Sequence, residues 1–101
     1  MNPFTNDRVK ASRILEVTCE VAKQPLDTVI GYDRNPTNTI TRFVAIWLIR
    51  VNTNLTLIEI GNLFSGRDHT TIVNAVKRAQ ELREASAEVR IACEEIMRRV
   101  D

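Results

Sequence analysis

The sequence predicts an all-α fold: a compact bundle of about six helices that contains a helix-turn-helix. Three observations predict it. Only three of the 101 residues are glycine, and no segment alternates cleanly between apolar and polar positions. Apolar residues instead recur at the i, i+3, i+4, i+7 spacing of amphipathic helices. The length is that of a single domain, residues 1–101, and folding at this size hides about 65% of the unfolded chain's surface, room for one core.

Each element follows from its neighbours. Asn6 or Asp7 can cap a first helix whose inner face carries Ala11, Ile14, Leu15, Thr18, Cys19 and Ala22. Pro25 ends it, because a proline pushes the residue before it out of the helical region. Pro25 to Ile30 then forms a short helix with proline near its start and Gly31 just past its end. Residues 31–38 are turn chemistry. A central helix runs from about Thr39 to Val51, with Ile40, Phe43, Val44, Trp47, Leu48 and Val51 as its apolar stripe and Arg42 and Arg50 off it. Thr56-Leu-Ile-Glu59 has the form of a capping box and opens a short helix with Leu57, Ile60, Leu63 and Phe64 inward. Phe64 to Arg67 makes a tight turn, and Asp68 caps a longer helix with Ile72, Val76, Ala79 and Leu82 or Arg83 inward. A last helix from about Ser86 turns Val89, Ala92, Cys93, Ile96 and Val100 to the core.

Several function classes drop out. The longest apolar run, Phe43 to Ile49, is seven residues, far short of the roughly 20 that span a membrane. No charged segment followed by an apolar one opens the chain, so a cytoplasmic protein is expected. Cys19, Cys93 and one histidine cannot supply the four ligands of a structural zinc site, so no metal is expected. Both cysteines read as small core hydrophobes. Asp68 and His69 are adjacent on a helix and point apart, and no second segment supports them as catalytic groups, so the chain does not read as an enzyme.

Net charge is +1, but its distribution is uneven. Residues 34–80 carry six Lys/Arg against two Asp/Glu, while the flanking segments come to −1 and −2. A basic middle is the footprint of an anionic partner. It coincides with the helix-turn-helix of residues 56–83, in which two helices meet across a short turn containing Gly66. In that motif the second helix enters the DNA major groove by its N-terminus. Here that N-terminus is Arg67-Asp-His-Thr-Thr71, with no apolar side chain larger than a threonine methyl. Asp can accept from a cytosine amino group, His can donate or accept at base edges, and a Thr methyl can pack on the thymine methyl. Asp68 needs no ligand to explain it, since Asp is among the best N-caps; capping and base reading are compatible. Trp47 and Phe43 read as core, and Tyr32 as a loop side chain covering the core edge.

The segment Ser65-Gly-Arg-Asp-His-Thr-Thr-Ile-Val73 resembles the C-terminal DNA-binding domain of the bacterial replication initiator DnaA, a TrpR-like helix-turn-helix fold. Leu57-Ile-Glu-Ile-Gly61 with Phe64, and Thr70 to Ala75 with Lys77-Arg78, extend the resemblance in register, and it covers roughly residues 12–85. It implies that Asp68, His69 and Thr70 read bases, with Thr71 on base or phosphate. It further implies Arg42, Arg50, Arg67, Asn74, Lys77 and Arg78 at the DNA backbone and Arg34 in the minor groove. An arginine there reads groove width and A·T character.

The chain also departs from that pattern. The family's densely basic loop is here Gly31-Tyr-Asp-Arg-Asn-Pro-Thr-Asn38, with Arg34 alone, and each lost phosphate contact flattens the salt dependence by about one counterion. Thr41-Arg42-Phe43 keeps the arginine of the family's Pro-Arg-Gln and loses the other two. No G-x-x-x-x-G-K-[ST] phosphate loop occurs in the 101 residues. With Met1-Asn-Pro-Phe read as a natural start, the expectation is a stand-alone, nucleoid-associated domain that takes no nucleotide or other cofactor. Its partner is expected to be double-stranded DNA at DnaA-box-like sites, where it acts in transcription regulation or at a replication origin. Dimerisation through the last helix is a way to recover affinity lost with the loop. The alternative is a protein-interaction module on the same scaffold.

Overall fold

The computed structural model describes residues 6–101; Met1-Asn-Pro-Phe4, read above as a natural start, lies outside them. Six helices succeed one another: α1 (Asp7–Ala22), α2 (Leu26–Ile30), α3 (Pro36–Asn52), α4 (Leu57–Leu63), α5 (His69–Ala85) and α6 (Ala87–Val100). The all-α expectation and the number of helices both hold.

Local chemistry explains the helix ends. Asn6, rather than Asp7, caps α1, its Oδ1 accepting from the Arg8 N–H at 2.6 Å. Lys23 closes α1 in the left-handed region (φ 57°, ψ 43°), so that its own N–H and that of Gln24 reach the Glu20 and Cys19 carbonyls. The central helix α3 starts three residues earlier than expected. Asn35 Oδ1 accepts from the Thr37 N–H at 2.9 Å, and Pro36 takes the first helical position, where a missing N–H costs nothing.

Helix α3 is the axis of the bundle and packs against α1, α2, α4 and α5. Val44, Ala45, Ile46, Leu48 and Ile49 are buried on it, together with Asn38, Thr41 and Arg42. The expected stripe is corrected in part. Ile40 and Val51 are exposed, at 39% and 53%, while Phe43 and Trp47 are half-buried. A helix enclosed on several sides has no single apolar stripe, so periodicity picks the wrong edge of its buried surface. Trp47 lies under the Arg83 guanidinium, 4.2 Å from the ring centroid, a cation–π contact between α3 and α5.

The core gathers Ile14 and Val17 of α1, Val29 of α2, Ile46 and Ile49 of α3, Ile60 of α4, Phe64, and Ile72 of α5, all fully buried. Helix α6 closes it against α1 and α5 with Cys93 and Ile96; Val89, Ala92 and Val100 are half-buried there, on the face expected for them. Cys19 and Cys93 are both free and buried, and burial pushes the Cys19 thiol up to about 11. No described helix is long and apolar enough to cross a membrane.

Candidate nucleic-acid interface

The helix-turn-helix is built from one capping box and one glycine. Thr56 Oγ1 accepts from the Glu59 N–H at 3.1 Å, and Glu59 Oε1 accepts from the Thr56 N–H at 3.0 Å, so α4 starts with two orphan donors satisfied. At its end the Gly61 carbonyl accepts from the N–H groups of Phe64, Gly66 and Arg67 at 3.0, 3.0 and 3.1 Å. The turn folds back so closely that a Cβ on residue 61 would stand 2.0 Å from the Arg67 carbonyl oxygen. Ser65 and Gly66 complete the reversal in the left-handed region, at φ 63° and 73°.

Helix α5 leaves that turn with its first residues in solvent. Asp68 Oδ1 accepts from the Thr71 N–H at 2.9 Å, and this bond to the Thr71 backbone holds its carboxyl below the usual carboxylate range. The capping role is therefore realised, and its second oxygen carries no described hydrogen bond. His69, Thr70 and Thr71 are exposed; among the described residues the side chains of His69 and Thr70 make no hydrogen bond, while that of Thr71 also helps to hold the Asp68 carboxylate. Thr70, Asn74 and Lys77 follow at helical spacing along one exposed face, with Arg78 beside them. Arg78 is partly engaged, its Nη1 donating to Glu81 Oε2 at 3.0 Å.

Two depressions flank the start of α5. One is lined by His69, Arg50 of α3, and Thr56, Leu57 and Ile58 around the α4 N-terminus. The other is lined by Thr71 and Ala75 of α5, Arg34 and its loop neighbours Tyr32 and Asp33, Arg67, and Thr39, Arg42, Phe43 and Ile46 of α3. Of the residues singled out in the sequence, Arg34, Arg42, Arg67 and Thr71 line one depression and Arg50 and His69 the other, while Thr70, Asn74, Lys77 and Arg78 lie on exposed α5 outside both.

Arg42 and Arg67 depart most from expectation. Arg42 was expected outside the packed face, but it is only 7% exposed. Its Nε donates to the Val29 carbonyl at 2.7 Å, and its Nη2 to those of Thr28 at 3.4 Å and Asp33 at 3.0 Å. Arg67 Nη1 donates to the Ile30 and Phe64 carbonyls, both at 2.8 Å, and its Nη2 to the Gly31 carbonyl. A five-residue helix leaves most of its carbonyls without intrahelical donors. The two guanidiniums take up the carbonyls of Thr28, Val29, Ile30 and Gly31 in succession. Burial lowers both arginines from their ordinary values; for Arg42 the neighbouring Arg67 lowers it further, and Asp33 opposes this.

Tyr32 does not cover the core edge as expected. It is 72% exposed, stacks on the Arg67 guanidinium at 4.8 Å, and its hydroxyl donates to the Ser65 carbonyl at 2.9 Å. Sequence reasoning also passed over Ile58 and Val73, which are 66% and 46% exposed beside the first residues of α5. Each is an aliphatic residue off the inner stripe of its own helix, a signal that periodicity does carry.

The family described as bacterial dnaA protein helix-turn-helix matches residues 11–79. The chromosomal replication initiator protein DnaA of Leifsonia xyli subsp. xyli (strain CTCB07) is 42% identical over 69 residues, which are 68% of this chain and 15% of that protein. DnaA of Bifidobacterium animalis subsp. lactis (strain AD011) is 32% identical over 87 residues, 85% of this chain and 15% of that protein. DnaA of Synechococcus sp. (strain JA-2-3B'a(2-13)) is 29% identical over 101 residues, 99% of this chain and 22% of that protein. The chain therefore spans about a fifth or less of the length of these relatives, and the matched segment holds the capping box, the Gly61 turn and the exposed start of α5. The chain belongs to the bacterial DnaA helix-turn-helix family.

Proposed function

We propose that this chain binds double-stranded DNA sequence-specifically at DnaA-box-like sites, with the start of α5 in the major groove. The observation that carries this reading is the state of His69, Thr70 and Thr71. They stand at a helix N-terminus, exposed; the side chains of His69 and Thr70 carry no described hydrogen bond, and Thr71 is engaged only with the capping Asp68 carboxylate. Such a helix start offers unpaired N–H groups and a positive dipole end to phosphate and side chains to base edges. Asp68 would add its second carboxylate oxygen while the first caps the helix.

Around this centre, Arg50, Asn74, Lys77 and Arg78 would meet phosphates. Arg34, exposed in its loop, would enter the minor groove. Arg42 would offer only its remaining nitrogen, Nη1, because its Nε and Nη2 are spent on carbonyls. Occupancy of such sites, at promoters or in competition with an initiator, is the regulatory role that fits a DNA-reading surface of this kind. Binding as a monomer is expected. The outer face of α6 presents one exposed large apolar side chain among the described residues, Ile91, and a dimer core wants several. Sedimentation with and without DNA tests this.

Fluorescence anisotropy on a DnaA-box duplex and a scrambled duplex of equal length, at 50 and 200 mM salt, tests the whole reading. A preference of about tenfold or more for the box is expected, with affinity for both falling about a hundredfold or more across that salt range. Equal, salt-sensitive binding to both would keep phosphate binding and overturn the box. Absence of binding to either would favour a protein-interaction module on this scaffold.

A further inference from the structure

We propose that Arg67, Tyr32 and Ser65 form a positioning latch that holds the loop carrying Arg34 in fixed register with the start of α5, and that Arg67 acts there without touching DNA. This rests on the DNA-binding reading above and adds how the two halves of the interface are kept in step.

Three side chains tie the helix-turn-helix turn to the α2–α3 loop, segments more than 30 residues apart in sequence. Arg67 reaches the Ile30 and Gly31 carbonyls while a third bond holds it to its own turn at Phe64. Ser65 Oγ donates to the Ile30 carbonyl at 2.7 Å. Tyr32 returns the connection, its ring on the guanidinium and its hydroxyl on the Ser65 carbonyl. Ser65 can offer both its groups because the left-handed turn places it at the apex.

The loop is pinned equally well beyond Tyr32. Asp33 accepts from the Asn35 N–H and from Asn38 Nδ2, both at 2.8 Å, and its carbonyl takes Arg42 Nη2. Asn35 is itself the cap of α3. Arg34 is therefore an exposed side chain on a backbone fixed on both sides. Ordering a loop on binding costs affinity, and a loop ordered beforehand avoids that cost. A single arginine on a fixed backbone can then read the minor groove beside the major-groove core, at one spacing.

A phosphate contact and a positioning role make opposite demands on Arg67. A phosphate contact needs charge, which lysine supplies. The latch needs a planar fork that spans three carbonyls and stacks on a ring, which lysine cannot form. Arg67→Lys separates the two, and Tyr32→Ala, at an exposed position, removes the stack and one bond without disturbing the core.

Anisotropy would be measured for the wild-type chain, Arg34→Ala, Arg67→Lys and Tyr32→Ala on three duplexes: a DnaA box with A·T flanks, the same box with G·C flanks, and a scrambled sequence. In the wild type the flank change is expected to weaken binding about tenfold, and Arg34→Ala should abolish that penalty. Arg67→Lys and Tyr32→Ala should cut the penalty to about twofold or less while keeping the preference for box over scrambled. A full flank penalty in Tyr32→Ala overturns the latch even where Arg67→Lys fails to fold, as does a wild type that ignores the flank. A wild type that does not distinguish box from scrambled overturns the DNA-box reading instead, and the latch falls with it.

Discussion

The first turn of α5 and the arginine pair behind it contain equally polar residues in opposite states. His69 and Thr70 have side chains in solvent and uncommitted among the described residues, and Thr71 is engaged only with its own helix cap, Asp68. Arg42 and Arg67 carry full charges, yet between them they are bound to six backbone carbonyls of their own chain. In a sequence, arginine in a DNA-binding fold reads as a phosphate ligand. In the folded chain the decisive quantity is how many of its donors remain unspent. Polar groups whose partners lie within the chain hold the fold together, and those without such partners remain exposed to solvent.

The sharpest way to break both regions at once is Gly61→Ala. With no room for a Cβ beside the Arg67 carbonyl, the turn must open and displace both Arg67 and the α5 start. A loss of about 3 kcal/mol or more in urea unfolding is expected, with loss of DNA affinity. Next comes a paired comparison of Arg42→Met with Arg50→Met. Removing Arg42 strips three carbonyls of a charged donor and should cost about 2–4 kcal/mol of stability. Removing exposed Arg50 should change stability by less than about 0.5 kcal/mol and lower the slope of log affinity against log salt by about one. Equal stability losses in the two variants would erase the distinction between spent and unspent arginines.

Acid sharpens the comparison from the side of the caps. Glu59 is held below its ordinary value mainly by its bond to the Thr56 backbone, and Asp68 by its bond to that of Thr71. A depressed carboxyl confers stability that is complete above its ordinary value, 4.5 for Glu59 and 3.8 for Asp68. That stability is lost as pH falls through the lower folded values. Urea midpoints should therefore fall as pH drops below about 4.5, and less so in Asp68→Ala. The smallest effect is expected at Lys23, a left-handed residue away from the interface. Lys23→Gly should raise stability by about 0.5–1 kcal/mol and leave DNA affinity unchanged, as a thermal melt and anisotropy would show.

Much of the fold was legible because helix ends are local. The caps at Asn6, Thr56 and Asp68 and the stop at Pro25 depend on groups within a few residues, and periodicity found the buried sides of α1, α4 and α6. Helix α3 was read one edge askew because several partners enclose it. The start of α5 was legible for a related reason: an exposed polar turn after a glycine turn needs no distant partner to define it. Tyr32, Arg42 and Arg67 were not. Their roles depend on carbonyls and side chains that the fold brings in from elements 9 to 37 residues away, and no spacing rule reports such contacts.

By itself, then, the amino-acid sequence determined six helices, the caps of α1, α4 and α5, the helix-turn-helix and the family to which it belongs, because each is written in short-range geometry and a contiguous signature. Only the tertiary structure decided which arginines face outward. A guanidinium is drawn to whichever acceptors remain unsatisfied, and the five-residue helix α2, too short to satisfy its own carbonyls, claimed Arg42 and Arg67.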